Sequence, residues 1–464
     1  MVTPRTGREG PSRGDRAPDR EERSLLISAA RWWDPAENTT RDNARVLVRD
    51  GLIHHVGPGA AVPSGARRID LGGRTLLPGL IDSHVHLTEA FPTSISDPVS
   101  AQTLAALPHL DSLLRNGFTT VRDMGGTLED PLVVHLRDAV ARRIVPGPRL
   151  LVAPHLISAR GGHGDKTAAA VPHGAYEVGP VADGANEIER RVRADARAGA
   201  DWIKFAATGG VTHPDDSPLR VTYSQLEMNT LVGTARDLDL PCAVHAFSDE
   251  GIRRAVRAGV RSVEHACLAT SATLDTLRPH GVYLVPTMYA VSYFLSHLDD
   301  DAFWTDRDAN ERAKLLRHAP TLRGHGRRVA ACTATIAYGT DAGVLPHRDN
   351  WREFPAMTTA GLTPLQALRS ATVSAAELLR RPRLGRIAAG GVADLIAVPG
   401  DPLRDIDTMG GVDFVLQDGR VHVDPTDPPR REHSVEPMRG DVQADDAILP
   451  APGRLEPRPL RNPP

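Results

Sequence analysis

Two histidines one residue apart close the apolar run LLPGLIDSHVHL, Leu76 to Leu87. On a strand, residues i and i+2 share a face about 6.6 Å apart, so His84 and His86 can point together at one metal ion. Two histidines on a polar strand face would have the same spelling, and the pair alone leaves both readings open. Further short apolar segments end in residues able to ligate or titrate: Lys204 in DWIKFAATGG, His245 in CAVHAF, His265 in SVEHA and Asp341 in YGTDAG. A lysine within WIKF is disfavoured as an ammonium, because desolvation penalises its charged form. A neutral lysine amine can add carbon dioxide and become a carbamate, an anion whose two oxygens can bridge two divalent metals.

Each residue also has a plain structural reading. Lys204 can reach solvent along its own stem, His245 and His265 can be hydrogen-bonded core histidines, and Asp341 can cap a following helix. What favours a shared site is the set of elements that must carry them. PGLIDSHVHL, GFTTVRDMG, PRLLVAP, ADWIKFAAT, PCAVHAF, SVEHA, VYLVPTM and IAYGTDAG read as strands, with amphipathic stretches such as EIERRVRADARAG and DEGIRRAVRAG between them. Eight such units in residues 75–382 predict an α/β fold, a (β/α)₈ TIM barrel, with the six residues at the strand ends where barrel active sites form.

Alternating segments on either side, 24–74 and 383–424, predict a small composite β-sandwich domain built from both ends of the chain, with a turn at Asp50-Gly51 and another at Asp418-Gly419. Residues 1–23 and 425–464 are rich in Arg and Pro with little to bury, and read as disordered tails. A net charge of −3 over 464 residues provides no field for nucleic acid or an anionic membrane, which leaves a small molecule as the expected partner. Cys242, Cys267 and Cys332 form no C-x-x-C pair, and neither a signal peptide nor an apolar run of about 18 residues is evident. The expected location is cytoplasmic.

The motifs LLPGLIDSHVHL, GFTTVRDMGG, ISARGGHGD, AGADWIKFAATGGV, AVHAFS, SVEHA, YGTDAG and GRIAAGGVADLIAVPGDP together resemble the amidohydrolase superfamily, and within it the imidazolonepropionase-like and Xaa-Pro dipeptidase-like members, over about residues 24 to 424. The resemblance implies two divalent metal ions. His84 and His86 would hold the more buried one, His245 and His265 the other, a carboxylated Lys204 would bridge them, and Asp341 would touch the buried metal and move protons. Nitrogen and oxygen ligands suit zinc, with manganese, cobalt and iron open. The reaction implied is hydrolysis of an amide or peptide-like C–N bond by a hydroxide between the metals, in a protein whose relatives are often homo-oligomers.

His163, in RGGHGD, matches a loop histidine that contacts the substrate carbonyl in related hydrolases, and would donate to the developing oxyanion. Dipeptidase-like relatives often carry tyrosine where this chain has Phe247. Loss of that hydroxyl moves the expectation from a standard dipeptide toward a more apolar acyl or aryl amide. His347, and Arg220 or Tyr223, fall on segments expected to overhang the barrel mouth and read a substrate carboxylate, while Cys267 reads as a small core residue. Specificity is expected in the loops 88–100, 160–182, 212–224 and 286–310. Two other readings stand beside the binuclear hydrolase: a mononuclear imidazolonepropionase-like cyclic-amide hydrolase or deaminase, and a catalytically silent barrel kept as a binding module.

Overall fold

A computed structural model of the protein describes residues 24–35, 38–88, 97–167, 178–211, 213, 216–305 and 307–425. The expected tails, apart from Pro425 at their edge, and parts of the expected specificity loops (89–96, 168–177, 212, 214–215 and 306) lie outside the described residues.

Alternation of apolar and polar residues at both ends of the chain produces one mixed sheet. Its strands are β1 (Ser24–Asp34), β2 (Thr39–Arg49), β3 (Leu52–Val56), β4 (Arg67–Asp70) and β5 (Thr75–Pro78), joined by β15 (Leu395–Val398), β16 (Phe414–Gln417) and β17 (Arg420–Val423). Their order is β17-β16-β15-β5-β1-β2-β3, with β4 also on β1. The junction between the two ends is the antiparallel pairing of β15 with β5, Ile396 opposite Leu77. Ile27, Val46, Leu76, Leu395, Phe414 and Leu416 bury one face in a common core. Full burial of such a side chain is worth about 1.5–3 kcal/mol, so residues more than 300 positions apart are held together by ordinary apolar packing.

Between these ends the chain alternates strand and helix. β6 (Leu80–Val85), β7 (Phe118–Asp123) and β8 (Arg149–Val152) form one parallel sheet, and β9 (Leu156–Ile157), β10 (Ile203–Ala206), β11 (Cys242–Ala246), β12 (Ser262–His265), β13 (Tyr283–Val285) and β14 (Thr335–Ile336) another. Backbone hydrogen bonds also run between the two sheets. Asp201 N and Trp202 N both donate to Val152 O, while Ser83 N donates to Tyr338 O and His86 N to Ala342 O. The strands are buried on both faces, as parallel strands covered by helices must be. Helices Val99–Arg115, Gly184–Ala198, Gln225–Asp237 and Asp249–Ala258 lie between successive strands, the third started by a reciprocal Ser224–Glu227 capping box. Among the described residues, no helix is long and apolar enough to cross a membrane.

Gly79 is the single residue between β5 of the mixed sheet and β6 of the parallel one, and its N–H donates to Asp394 O at 2.8 Å. A Cβ there would overlap Thr119 Oγ1 and come within 2.9 Å of Asp394 Cβ. Gly79→Ala should therefore lower stability by about 1–3 kcal/mol in urea unfolding. Adding Thr119→Ala should recover part of the loss, and no recovery would mean that the overlap is not the cause.

Candidate metal centre

The C-terminal ends of β6, β10, β11 and β12, with the segment after β14, meet at one cavity of about 340 Å³. His84, His86, Lys204, His245, His265 and Asp341 all line it, with His163 and Phe247. On β11, alternation turns Ala243, His245 and Phe247 inward while Val244 and Ala246 join the outer core. On β12 the alternation is broken. Glu264 and His265 are consecutive yet both reach the interior, because His265 takes φ +70° and turns out of the strand. Asp341 (φ +61°) and Thr287 (φ +46°) share this left-handed conformation, which costs a non-glycine residue about 1–3 kcal/mol and is found where function demands it.

Asp341 Oδ1 lies 3.2 Å from His84 Nε2 and 3.3 Å from His86 Nε2. These three side chains offer ligand atoms within 4.8 Å of one another. Their other atoms are committed elsewhere. His84 Nδ1 lies 2.8 Å from Glu264 Oε2, and Glu264 Oε1 accepts from Arg122 at 3.0 Å and from Ser262 Oγ. His86 Nδ1 donates to Gly125 O at 2.7 Å, and His265 Nδ1 meets Thr287 Oγ1 at 3.0 Å. Asp82 accepts from His84 N and from Thr340 N and Oγ1, tying the first ligand segment to the last. Such partners fix ring orientation and tautomer, leaving His84 Nε2 and His86 Nε2 for the cavity.

The charges are set by burial and by these neighbours. Burial alone would raise the Asp341 carboxyl, but His84 and the hydrogen bonds from His84 and His86 hold it well below the usual carboxylate range. Burial likewise opposes ionisation of Glu264, and the Arg122 guanidinium and His84 overcome it. His245 and His265 are pushed well below the usual histidine range by burial, so both are neutral and able to ligate. Lys204 is 2% exposed, its Nζ has no hydrogen-bond partner among the described residues, and burial brings it down to about 8. Neutral imidazoles, a carboxylate and an orphaned amine open to carboxylation form a donor set that fits divalent metal.

Of the twelve residues weighed for the site from the sequence, nine line this cavity and three do not. Tyr223 is buried between a helix and the strands, with its hydroxyl donating to Ala182 O at 2.9 Å, so it faces no mouth. His347 is also buried. It stacks on His109 at 4.0 Å and its Nε2 donates to His86 O at 2.9 Å, so it braces a strand end instead of reading a carboxylate. Arg220 is exposed and outside the described cavity lining, whereas Cys267, buried, is part of it. Sequence reasoning missed Glu264, Arg122, Asp82 and Asp216. The available signal was charge inside apolar strands, as in TTVRDM and SVEHA, since a buried charge needs a partner.

The model of the Amidohydrolase family matches residues 75–422. The ochratoxinase of Aspergillus niger is 28% identical over 413 residues, covering 83% of each chain. An imidazolonepropionase of Salinispora arenicola is 26% identical over 404 residues, 81% of this chain and 91% of that one. Among solved structures, a Xaa-Pro dipeptidase with methionine bound in its active site is 32% identical and aligns with a TM-score of 0.80 over 86% of this chain and all of that one.

The orphaned amine generates a stability test. In metal-free, carbon dioxide-free buffer, Lys204→Met should stabilise the protein by about 1–3 kcal/mol in urea unfolding, because it removes an unsatisfied buried polar group at little change of shape. A destabilised variant would mean that the amine is held by a partner.

Proposed function

The chain belongs to the amidohydrolase family and is a hydrolase acting on carbon–nitrogen bonds, and from that premise we propose that it uses two divalent metal ions to hydrolyse the amide bond of a small N-acyl amino acid or dipeptide-like substrate. The observation that carries this reading is Lys204. Its Nζ is buried at the cavity of the four histidines with no hydrogen-bond partner among the described residues, the situation that carboxylation would relieve. His84 and His86 would hold one ion, His245 and His265 the other, the carboxylated Lys204 both, and Asp341 the first. Zinc suits these donors. Bound metal supplies acidified water and a polarised carbonyl.

The remaining work falls to side chains of the chain itself. The Asp341 carboxylate, ionised and 15% exposed at the cavity floor, accepts the proton of the attacking water and returns it to the departing nitrogen. Val211, Phe247, Val291, Phe294, Leu315 and Leu322 make one wall apolar, which excludes water and favours an apolar acyl or aryl group. His163 and Phe247 lie where the substrate would rest.

We read the parallel strands as a closed eight-stranded barrel over residues 75–382, counting β8 and β9 as one strand. The hydrogen bonds from Asp201 to Val152 and from Ser83 to Tyr338 support that closure. Residues 24–74 and 383–424 would form the accompanying β-domain. Free Cys242, Cys267 and Cys332 agree with a cytoplasmic location.

One observation favours a second reading. Among the described residues the tight ligand cluster comprises His84, His86 and Asp341, as a mononuclear cyclic-amide hydrolase would require. Metal analysis of the full chain separates the two, with assays on N-acyl amino acids, Xaa-Pro dipeptides, lactams and aryl amides. The binuclear reading expects two ions per chain and open-chain amide hydrolysis. It also expects Lys204→Ala to lose metal and to cut turnover more than about a hundredfold. One ion, an unmodified Lys204 and lactam turnover would sink it.

Glu264→Gln tests the support of the first site. It keeps the shape of the side chain but removes the charge that faces His84 and Arg122. Metal affinity measured by chelator competition should fall about 10–100-fold, and unchanged affinity would remove Glu264 from the ligand framework.

A further inference from the structure

Beyond the proposed ligands, the cavity has a second built feature on the side of His163. His163 Nδ1 lies 2.7 Å from Asp216 Oδ2, which also accepts from Gly210 N at 2.9 Å. Asp216 Oδ1 accepts from Lys314 Nζ at 3.0 Å. Lys314, on the helix Ala309–Leu322, further donates to Asp216 O, Gly210 O and His213 O, so one ammonium holds these three residues together. Asp216 and Lys314 are both buried, and the pair joins residues 98 positions apart.

The imidazole itself has little freedom. One face stacks on His245 at 4.1 Å and 16°. Its edge lies against Gly210, where a Cβ would come within 2.6 Å of His163 Cε1, so only glycine admits the ring. With a carboxylate at Nδ1, the proton belongs on Nδ1 and the lone pair on Nε2. On the loop side Lys166 Nζ donates to His163 O at 3.2 Å, which further fixes the residue.

We propose that Asp216, held by Lys314, is a positioning residue that keeps His163 in the Nδ1–H tautomer and so presents Nε2 to the cavity as a hydrogen-bond acceptor for a substrate N–H. This reverses the donor role expected for His163 from sequence. On the amide-hydrolase reading, on which this part rests, the acceptor selects secondary amides, whose scissile nitrogen bears a hydrogen, over tertiary amides such as Xaa-Pro bonds. Leaving a buried acceptor unpaired is what penalises the tertiary substrate.

The tautomer is measurable without turnover. In metal-free full-length protein labelled with ¹⁵N-histidine, with His163 assigned by loss of its signals in His163→Gln, Nδ1 should resonate as a protonated nitrogen and Nε2 as an unprotonated one at neutral pH. A proton on Nε2, alone or with Nδ1, overturns the proposal. Asp216→Asn should shift His163 toward the Nε2–H form, and retention of the full Nδ1–H form would remove Asp216 as its cause. If that variant does not fold, the wild-type spectrum alone still decides whether the tautomer is as proposed.

The substrate arm compares N-benzoylphenylalanine with its N-methylated amide on zinc-loaded enzyme. Wild type should favour the N–H amide at least about tenfold in kcat/KM, and His163→Ala should reduce that ratio to within about threefold. An unchanged ratio in His163→Ala overturns the acceptor role. If neither amide is hydrolysed, competition of the two compounds for the zinc-loaded protein provides the same ratio as relative affinities. Failure of the hydrolase reading is thereby separated from failure of the acceptor role.

Discussion

A buried lysine amine with nothing among the described residues to accept its hydrogens is the condition to which the other groups of the cavity answer. Removing such a group from water is costly, and a positive charge there costs more. The neighbourhood divides accordingly. Arg122 presses Lys204 toward neutrality, Glu264 and Asp341 favour its charge, and desolvation outweighs both. The outcome is an amine shifted toward its neutral form beside the neutral imidazoles of His245 and His265, and the neutral amine is the nucleophile toward carbon dioxide. A fold that only needed to be stable would place methionine there.

Rigidity around that amine comes from buried pairs of opposite sign. Arg122 lies between Glu264 and the ring of Trp202, 4.4 Å away, while Glu264 orients His84. Breaking such a pair leaves an uncompensated charge, so the pair resists distortion more than apolar packing would. On the opposite side Lys314 and Asp216 do the same for His163. Each histidine that faces the cavity is thus aimed by a group one step further out, and the strand ends supply the backbone turns. His265 and Thr287, joined through their side chains, and Asp341, whose N–H donates to His84 O, adopt left-handed conformations there.

The ligand-type residues were legible in the sequence because a strand end is a local property. An apolar run that stops at histidine, lysine or aspartate announces both the element and the face. The strands at both ends of the described residues were legible for the same reason, since alternation is visible in ten residues. What lay beyond local reading was pairing. That Glu264 meets Arg122 across 142 positions, or Lys314 meets Asp216 across 98, follows from which strands become neighbours. Tyr223 and His347 show the converse error: both sit near turn-rich sequence that suggested exposure, yet each has its polar atom claimed by a backbone carbonyl inside the protein.

The two sides of the cavity are built from different parts of the chain, and this separates chemistry from selection. The polar floor hangs on the strands and their buried ion pairs, where a shift of a few tenths of an ångström would break several contacts at once. The apolar wall comes largely from the helices Met288–Ser296 and Ala309–Leu322, packed as a cluster of their own with Phe247 and Cys267. A wall of that kind discriminates by shape and by about 1–3 kcal/mol per methylene, and it can change residue by residue without disturbing the floor. Lys314 is the exception, since it stands on a wall helix yet pins the loop that aims His163. Through that one side chain, movement of the wall helix would be felt at the histidine beside the floor, which on the proposed reading couples substrate selection to substrate positioning.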